Sequence, residues 1–346
     1  KQTIGFTDTV GGGVWNFNLN NSHSSIVMNH ANGGTVEGTF KLFSGHLNAA
    51  TAVAPTATQN NGAVSIGNNG KVYILGGTLT GSKYVGNDAN APVLAKNGGA
   101  IYLGADADNS VYGKAELTGG TIYGGTVSRK KVDGVYNYGT GGAIHLDAGT
   151  KLTIDGTDII GGKAYRGGVI YVDKNCHVTI YGGSVRDGVT TERGGNIAVD
   201  TQSHLIVSGA TVQNGTANSS NANGGGNIAV LTGSTVEIRG GYITDGKTTK
   251  TGGNITVGTG TLKISGGEIS GGTVYGALNA AVKNGKTTYS ALAPYGGNIY
   301  MTESSMVNIL GGVVKDGQAI RETFTAPNGT EYTNMTYGGN IYKVNT

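Results

Sequence analysis

Apolar and polar positions alternate along short segments of this chain, and glycine pairs separate one segment from the next. In Leu152-Thr153-Ile154 and in Val178-Thr179-Ile180, every second residue is aliphatic. A period of two is typical of a β-strand with one buried face, whereas an amphipathic helix has a period near 3.6. The pattern therefore predicts many short strands that are joined by glycine turns.

Two sequence motifs recur along most of the chain, which indicates a repeat architecture. The first is a glycine pair, then one small or polar residue, then isoleucine, and its isoleucines are Ile101, Ile144, Ile170, Ile197, Ile228, Ile255, Ile299 and Ile341. The second is a glycine pair that directly follows an alternating strand, as in Val236-Glu237-Ile238-Arg239-Gly240-Gly241-Tyr242-Ile243. In six of eight coils, 15 residues separate the aliphatic residues of the two motifs, for example 144 to 159 and 197 to 212.

This repeat predicts an all-β fold, a single-stranded right-handed parallel β-helix (solenoid) of about nine coils with three short strands per coil. One coil cannot bury its inner face alone, so stacked coils must bury a continuous aliphatic column. Coils about 4.8 Å apart would form a rod roughly 40 Å long. The expected inner column contains Ile101, Leu103, Ile144, Leu146, Ile170, Val172, Ile197, Val199, Ile228, Val230, Ile255, Val257 and Ile299.

The motif spacing also predicts how the chain is organised. Residues 1–60 form a divergent N-terminal coil or cap, and residues 61–346 form the regular coils. Long insertions interrupt the coils at one corner, at residues 81–97, 124–140, 271–295 and 315–337. Three of these insertions contain Asp-Gly or Asn-Gly turns, which predict β-hairpins at residues 130–136, 281–287 and 324–332.

Tyrosine is concentrated in these insertions. Because successive corners stack, we expect the loops to lie along one edge of the rod. Exposed tyrosine suits protein or sugar contacts, since the ring stacks and the hydroxyl forms hydrogen bonds. The same rings could instead pack the hairpins onto the wall of the solenoid. The candidate binding residues are Tyr136, Tyr138, Tyr275, Tyr289, Tyr295 and Tyr332.

Three aspartates, Asp147, Asp173 and Asp200, follow the first-motif isoleucine by three residues in successive coils, and His145 points outward from the first of these strands. The simplest interpretation is that each aspartate caps the turn that follows it. No cofactor is needed for that role. Two alternatives remain, because stacked carboxylates can bind Ca²⁺ or, with His145, carry out acid–base chemistry on a polysaccharide.

Asparagine recurs at one position of the first motif. Asn196, Asn227, Asn254, Asn298 and Asn340 occupy the same offset in five successive coils. Stacked asparagine side chains can form hydrogen bonds with one another along a β-stack. We therefore expect a structural asparagine ladder along the rod.

Composition and charge exclude several classes of partner. The net charge is +3 from 24 basic and 21 acidic residues without a long run of either sign, so no nucleic-acid partner is expected. No apolar run has the length of a membrane span. The single cysteine, Cys176, cannot form an intrachain disulfide or a zinc site.

The repeated Gly-Gly-Ala-Ile and Gly-Gly-Asn-Ile strings resemble the right-handed β-helix repeat proteins of bacterial surfaces, of the adhesin-like and polymorphic outer-membrane type. The resemblance covers roughly residues 61–346. It implies an extracellular or bacterial cell-surface protein that acts as a scaffold or adhesin and binds a host or bacterial surface protein or a glycan. Two alternatives remain open: a carbohydrate-active enzyme that uses the stacked aspartates, and a filament subunit that self-associates end to end.

Overall fold

The protein is described by a computed structural model. It covers residues 16–18, 26–28, 39–42, 46–48, 51–52, 64–66, 70–81, 83–84, 97–104, 112–127, 130–132, 135–137, 139–218 and 224–344. These residues contain strands and turns but no helix. The chain passes repeatedly through three parallel sheets, so it is an all-β solenoid of the parallel β-helix type.

Sheet 1 has ten strands, and most of them begin at the isoleucine of the first motif. Its strands are Ile26–Met28, Val64–Ile66, Ile101–Leu103, Ile144–Leu146, Ile170–Val172, Ile197–Val199, Ile228–Val230, Ile255–Val257, Ile299–Met301 and Ile341–Lys343. Sheet 2 has nine strands: Thr39–Leu42, Lys71–Ile74, Lys114–Leu117, Lys151–Ile154, His177–Ile180, His204–Val207, Thr235–Ile238, Thr261–Ile264 and Met306–Ile309. We name each coil after the first residue of its sheet 1 strand.

Sheet 3 has ten strands, and most of them follow the glycine pair of the second motif. Its strands are Asn16–Asn18, His46–Asn48, Thr78–Thr80, Thr121–Tyr123, Asp158–Ile160, Ser184–Arg186, Thr211–Gln213, Tyr242–Thr244, Glu268–Ser270 and Val313–Lys315. Neighbouring strands pair in parallel without slipping, as Ile170 with Ile197 and Ile197 with Ile228. Equivalent residues of successive coils therefore lie directly above one another.

The predicted inner column is confirmed. Every one of its thirteen residues, from Ile101 to Ile299, is 0% exposed. Sheets 2 and 3 contribute their own alternating residues to the same core, for example Leu205 and Val212. Each fully buried aliphatic side chain stabilises the fold by roughly 1.5–3 kcal/mol. One hydrophobic core thus runs through the stacked coils.

A fourth parallel sheet, sheet 4, follows sheet 3 at the corner where the insertions occur. Its six strands are Lys163–Arg166, Val189–Arg193, Thr216–Ala217, Lys247–Thr248, Thr273–Val274 and Gln318–Ala319. A further parallel pair joins Thr51–Ala52 to Lys83–Tyr84. The prediction of three strands per coil omitted these strands, most of which are too short to show an alternating pattern.

Three antiparallel hairpins extend from the coils, as the turn sequences predicted. They pair Lys130–Val132 with Val135–Asn137, Ala277–Lys283 with Lys286–Leu292, and Thr323–Thr325 with Glu331–Thr333. The last two follow the sheet 4 strands of the Ile255 and Ile299 coils. Before residue 60, Thr39–Leu42 and His46–Asn48 pair in register with the next coil, and the rest of the predicted cap lies largely outside the described residues.

The two glycines of the first motif are required for two different structural reasons. Gly194 has a φ of +65°, a conformation that glycine adopts without the cost of a Cβ clash. Gly195 has no such φ, but a Cβ there would lie 2.0 Å from the carbonyl oxygen of Gly226 in the next coil. The second glycine is therefore required because two coils touch backbone to backbone.

Candidate functional site

The three predicted aspartates lie in one row where sheet 1 strands end. Their backbone N–H groups donate to the preceding coil, Asp147 to Leu103 (2.8 Å) and Asp200 to Val172 (2.9 Å). Asp173 lies between them and donates to Leu146 (3.1 Å). Successive members of the row are therefore one coil apart, or about 4.8 Å.

Two of these carboxylates are engaged by tyrosine and by the turn that follows. Asp147 accepts from the Tyr102 hydroxyl (2.8 Å) and from the next backbone N–H (3.2 Å). Asp200 accepts from the Tyr171 hydroxyl (3.2 Å) and from the N–H of Thr201 (2.9 Å). In both cases the carboxylate accepts from the N–H of the very next residue, at the start of the turn that follows the strand.

Asp173 differs from its two neighbours in its electrostatic environment. Burial raises its pKa above the ordinary value of 3.8, while a backbone hydrogen bond at Lys174 lowers it. The charges of Asp147 and Asp200 raise the same pKa further, because ionising a third carboxyl between them is unfavourable. Across the described ranges, no group of three or more acidic, histidine or cysteine side chains is placed to hold a metal ion.

His145 is enclosed by aromatic rings on the outer face of sheet 1. Its ring stacks on Tyr102, with centroids 5.2 Å apart, and on Tyr171, with centroids 5.3 Å apart. Thr140 shares a hydrogen bond of 2.8 Å with His145 Nδ1. The residue is only 5% exposed. His145 therefore points outward as predicted but does not face solvent, and this placement argues against its acting on a bound polysaccharide.

A row of residues that sequence reasoning missed covers this outer face. Each member directly precedes a first-motif glycine pair, and several of them form parallel bridges with one another. The row consists of Asn97, Thr140, Arg166, Arg193, Gly224, Thr251, Tyr295 and Tyr337. We call it the covering row. Its constant position before the glycine pair is the sequence signal that would have identified it.

Charged members of the covering row form an ion-pair network beside the aspartates. The guanidinium groups of Arg166 and Arg193 both contact the carboxylate of Glu192, which is buried. Arg166 Nη1 also lies 3.6 Å from Asp200 Oδ2. Glu192 thus has two cationic partners, which offset the cost of burying its charge.

A tyrosine cluster lies at the far end of the same face. Tyr295 and Tyr337 of the covering row stack with ring centroids 5.0 Å apart and an angle of 9°. Tyr300 and Tyr342 of sheet 1 stack at 6.1 Å, and Tyr295 lies 4.9 Å from Tyr342. We call these four residues the tyrosine cluster. Only Tyr295 of the four was among the candidate binding residues.

The other predicted tyrosines are distributed over the hairpins. Tyr289 and Tyr332 are half-buried on hairpin strands, and Tyr275 is exposed just before the second hairpin. Asn334 is buried and joins the third hairpin to this point, donating to the carbonyl of Tyr275 (3.3 Å). The side chain of Tyr136 and the whole of Tyr138 lie outside the described residues.

The structure brings the five predicted asparagines into one ladder. Asn196 Nδ2 donates to Asn227 Oδ1 (2.7 Å), and the remaining steps measure 2.6, 2.7 and 2.9 Å. Each side-chain oxygen also accepts from the N–H of a glycine at the adjacent corner, as Asn196 does from Gly188 (2.9 Å). The ladder thus connects neighbouring coils and stabilises the corner from which the insertions extend.

The fold and this surface define the class of protein as a parallel β-helix repeat protein with hairpins at one corner. No protein-family model, no curated protein and no solved structure matches the chain. Within the described residues, no helix is long and apolar enough to cross a membrane.

Proposed function

We propose that this chain is an extracellular, adhesin-like scaffold of a bacterial surface. In this proposal, a stiff β-helical rod presents the tyrosine cluster and the neighbouring hairpins to a partner, which is a surface protein or a glycan. The glycine-pair repeats that resemble bacterial surface β-helices support the extracellular assignment. Because a fold alone does not determine function, the surface carries the rest of the argument.

The observation that carries the proposal is the exposure of apolar and aromatic side chains in the tyrosine cluster and on or beside the hairpins. Tyr337 of the tyrosine cluster is 38% exposed, although it stacks on Tyr295. On and beside the hairpins, Val282 is 71% exposed and Met335 is 70% exposed. Exposed apolar groups beside polar residues are typical of interaction sites, and tyrosine contributes large contact areas at such sites.

The test is a binding screen of the purified chain against immobilised surface proteins and a glycan array. We expect Tyr337→Ala to weaken binding at least tenfold, or about 1.4 kcal/mol. The matched control is Tyr242→Ala, because Tyr242 is also an exposed tyrosine but lies on sheet 3. Equal binding by both variants and the unmodified chain would contradict the proposal.

A carbohydrate-active enzyme is a second candidate, and the environment of Asp173 favours it. A carboxyl with a raised pKa between two other carboxylates is an arrangement that acid–base catalysis uses. The test is turnover of acidic polysaccharides. Loss of turnover in Asp173→Ala, with a melting temperature no lower than that of the unmodified chain, would support this function over the scaffold.

A further inference from the structure

The longest strands in the described residues belong to the second hairpin, which pairs Ala277–Lys283 with Lys286–Leu292. The pairing runs along the whole of both strands without a bulge. One side of this hairpin is occupied, because Lys286–Leu292 lies beside the strand Glu331–Thr333 of the third hairpin. Ala277–Lys283 pairs with no other strand of the described residues, so its far side is an open sheet edge. We call Ala277–Lys283 the edge strand.

The turn of this hairpin determines which backbone groups of the edge strand face outward. Its two residues, Asn284 and Gly285, have φ values of 51° and 71°, as in a type I′ turn. The residues on either side of such a turn, here Lys283 and Lys286, form a hydrogen-bonded pair. Hydrogen-bonded and non-hydrogen-bonded pairs then alternate along the hairpin. Three residues of the edge strand therefore have their N–H and C=O groups at the open edge, and they are Leu278, Ala280 and Val282.

The edge strand lacks the features by which soluble proteins protect an open edge. Protected edges are short or bulged, or they carry proline or several charged side chains. The edge strand contains no proline, and its single charged residue, Lys283, lies at its end beside the turn. Ala280 and Ala281 are exposed, and Val282 is 71% exposed. The edge is therefore accessible to another extended strand.

The sequence of the edge strand is complementary to itself in the antiparallel direction. When two copies pair about Ala280, the outward backbone groups of Leu278 in one copy meet those of Val282 in the other, and Ala280 meets Ala280. Each of these residue pairs exchanges two backbone hydrogen bonds. Apolar side chains lie opposite one another, and Lys283 lies opposite Ala277. A second copy of the chain thus satisfies every outward group of the edge strand.

Charge also favours the antiparallel pairing. A parallel pairing in register would place the two Lys283 side chains side by side, which is destabilising. In the antiparallel pairing, each Lys283 lies opposite Ala277 of the other copy, so the two lysines are roughly 20 Å apart. This separation is well beyond the range over which exposed charges interact in physiological salt.

We propose that two copies of this chain associate through their edge strands and form one four-stranded antiparallel sheet. The interface is isologous, because the same surface of both copies takes part. It lies on the second hairpin and not at the ends of the rod, so it differs from end-to-end association. It also goes beyond the proposed function, since the edge strand contains no member of the tyrosine cluster.

A disulfide bond between two copies tests the pairing and its register. Ala280 faces Ala280 with Cα atoms about 5.5 Å apart, a separation that a disulfide spans. Ala280→Cys should therefore form a covalent dimer under mild oxidation, measured on a non-reducing gel. Ala281→Cys is the matched control, because Ala281 is also exposed but lies opposite Asn279 of the second copy. It should form at least tenfold less dimer, and the native Cys176 does not compete because it is buried.

Sedimentation velocity of the purified chain over a range of concentrations measures the association without a cross-link. Ala280→Pro removes an outward N–H but no hydrogen bond within the hairpin, and proline is tolerated at such an edge position. This variant should weaken self-association at least tenfold. Ala280→Val keeps the N–H and should associate as the unmodified chain does. If Ala280→Pro disrupts the hairpin, the two cysteine variants decide alone.

Equal cross-linking of the two cysteine variants, or no cross-linking of either, overturns the proposal. A chain that stays monomeric but loses binding to an immobilised surface protein in Ala280→Pro also overturns it, because the edge strand then pairs with that protein. Tyr337→Ala should leave the formation of dimers unchanged. Failure of the dimer and failure of the proposed function are therefore distinguishable.

Discussion

The side-chain amide of Asn227 donates a hydrogen bond of 2.6 Å to Asn254 Oδ1 in the next coil. Asn254 also accepts from the N–H of Gly246 and donates to the carbonyl of Ser270 (2.8 Å) and to Asn298 Oδ1 (2.7 Å). All of these residues are buried, and Asn227, Asn254 and Asn298 are 0% exposed. A single side chain therefore satisfies polar groups of three coils at once.

Asn254→Ala should destabilise the fold by at least about 2 kcal/mol, because it removes four hydrogen bonds and leaves buried donors and acceptors unpaired. Chemical denaturation followed by circular dichroism measures the change. Asn218→Ala is the matched control, since Asn218 is exposed, and it should change stability by less than about 0.5 kcal/mol. Similar effects of the two substitutions would show that the ladder adds no stability.

The alternation within strands predicts opposite outcomes at adjacent residues. Leu205 is buried in the core, whereas its neighbour Ile206 points to the outer face of sheet 2. Leu205→Ala should cost about 2–5 kcal/mol, the range for large-to-small substitutions in a packed core. Ile206→Ala should cost less than about 1 kcal/mol, because less of its surface is buried. Denaturation midpoints of the two variants check this difference.

The raised pKa of Asp173 predicts a dependence of stability on pH. The folded protein binds a proton at this carboxyl more tightly than the unfolded chain does, so the proton stabilises the fold below the ordinary pKa of 3.8. This contribution is lost as the pH rises through the higher folded pKa. Asp173→Asn should therefore raise the melting temperature relative to the unmodified chain at pH 7 but not at pH 3.

The control for this measurement is Asp155→Asn, at an exposed aspartate in the turn after a sheet 2 strand. It gives the change in melting temperature that removal of one surface carboxyl causes. If Asp173→Asn and Asp155→Asn shift the melting temperature equally at both pH values, the environment of Asp173 does not perturb its ionisation.

Two glycines that differ in their surroundings should differ sharply in tolerance. A Cβ at Gly195 would lie 2.0 Å from one backbone atom and 2.3 Å from another, so Gly195→Ala should separate two coils and prevent native folding. Gly161 has a φ of +71° but no atom within 4 Å of such a Cβ. Asp187 and Asn214 adopt the same conformation at the equivalent corner, so Gly161→Asn should fold with nearly unchanged stability. Soluble yield and circular dichroism compare the two variants.

The core and the hairpins could be predicted because their causes are local in sequence. Residues such as Ile170 and Ile197 recur at a fixed offset from glycine pairs, and alternation alone assigns them to the inner face. The Asn-Gly turn at Asn284 requires a positive φ, and the structure has a φ of 51° there. In each case a few consecutive residues contain the whole signal.

The outer face of sheet 1 could not be predicted in the same way. His145 was expected to point outward, and it does, but the chain folds back across each glycine pair and places the covering row over it. The contacts of Thr140 with His145 and of Arg166 with Asp200 depend on that return path. The two-residue strands of sheet 4, such as Thr216–Ala217, are too short to show a period.

The Asn-Ile junction that opens five successive coils, from the Ile197 coil onward, has a consequence for how such a chain changes in length. Excision of residues 197–227 would join Asn196 directly to Ile228, and Asn196 would then occupy the place of Asn227 beside Asn254. The glycine pairs and asparagines that contact the neighbouring coil would keep their spacing on both sides of the junction. Recombination is therefore expected to lengthen or shorten this molecule by whole coils of the solenoid. Each surface loop would then be gained or lost together with the coil that carries it.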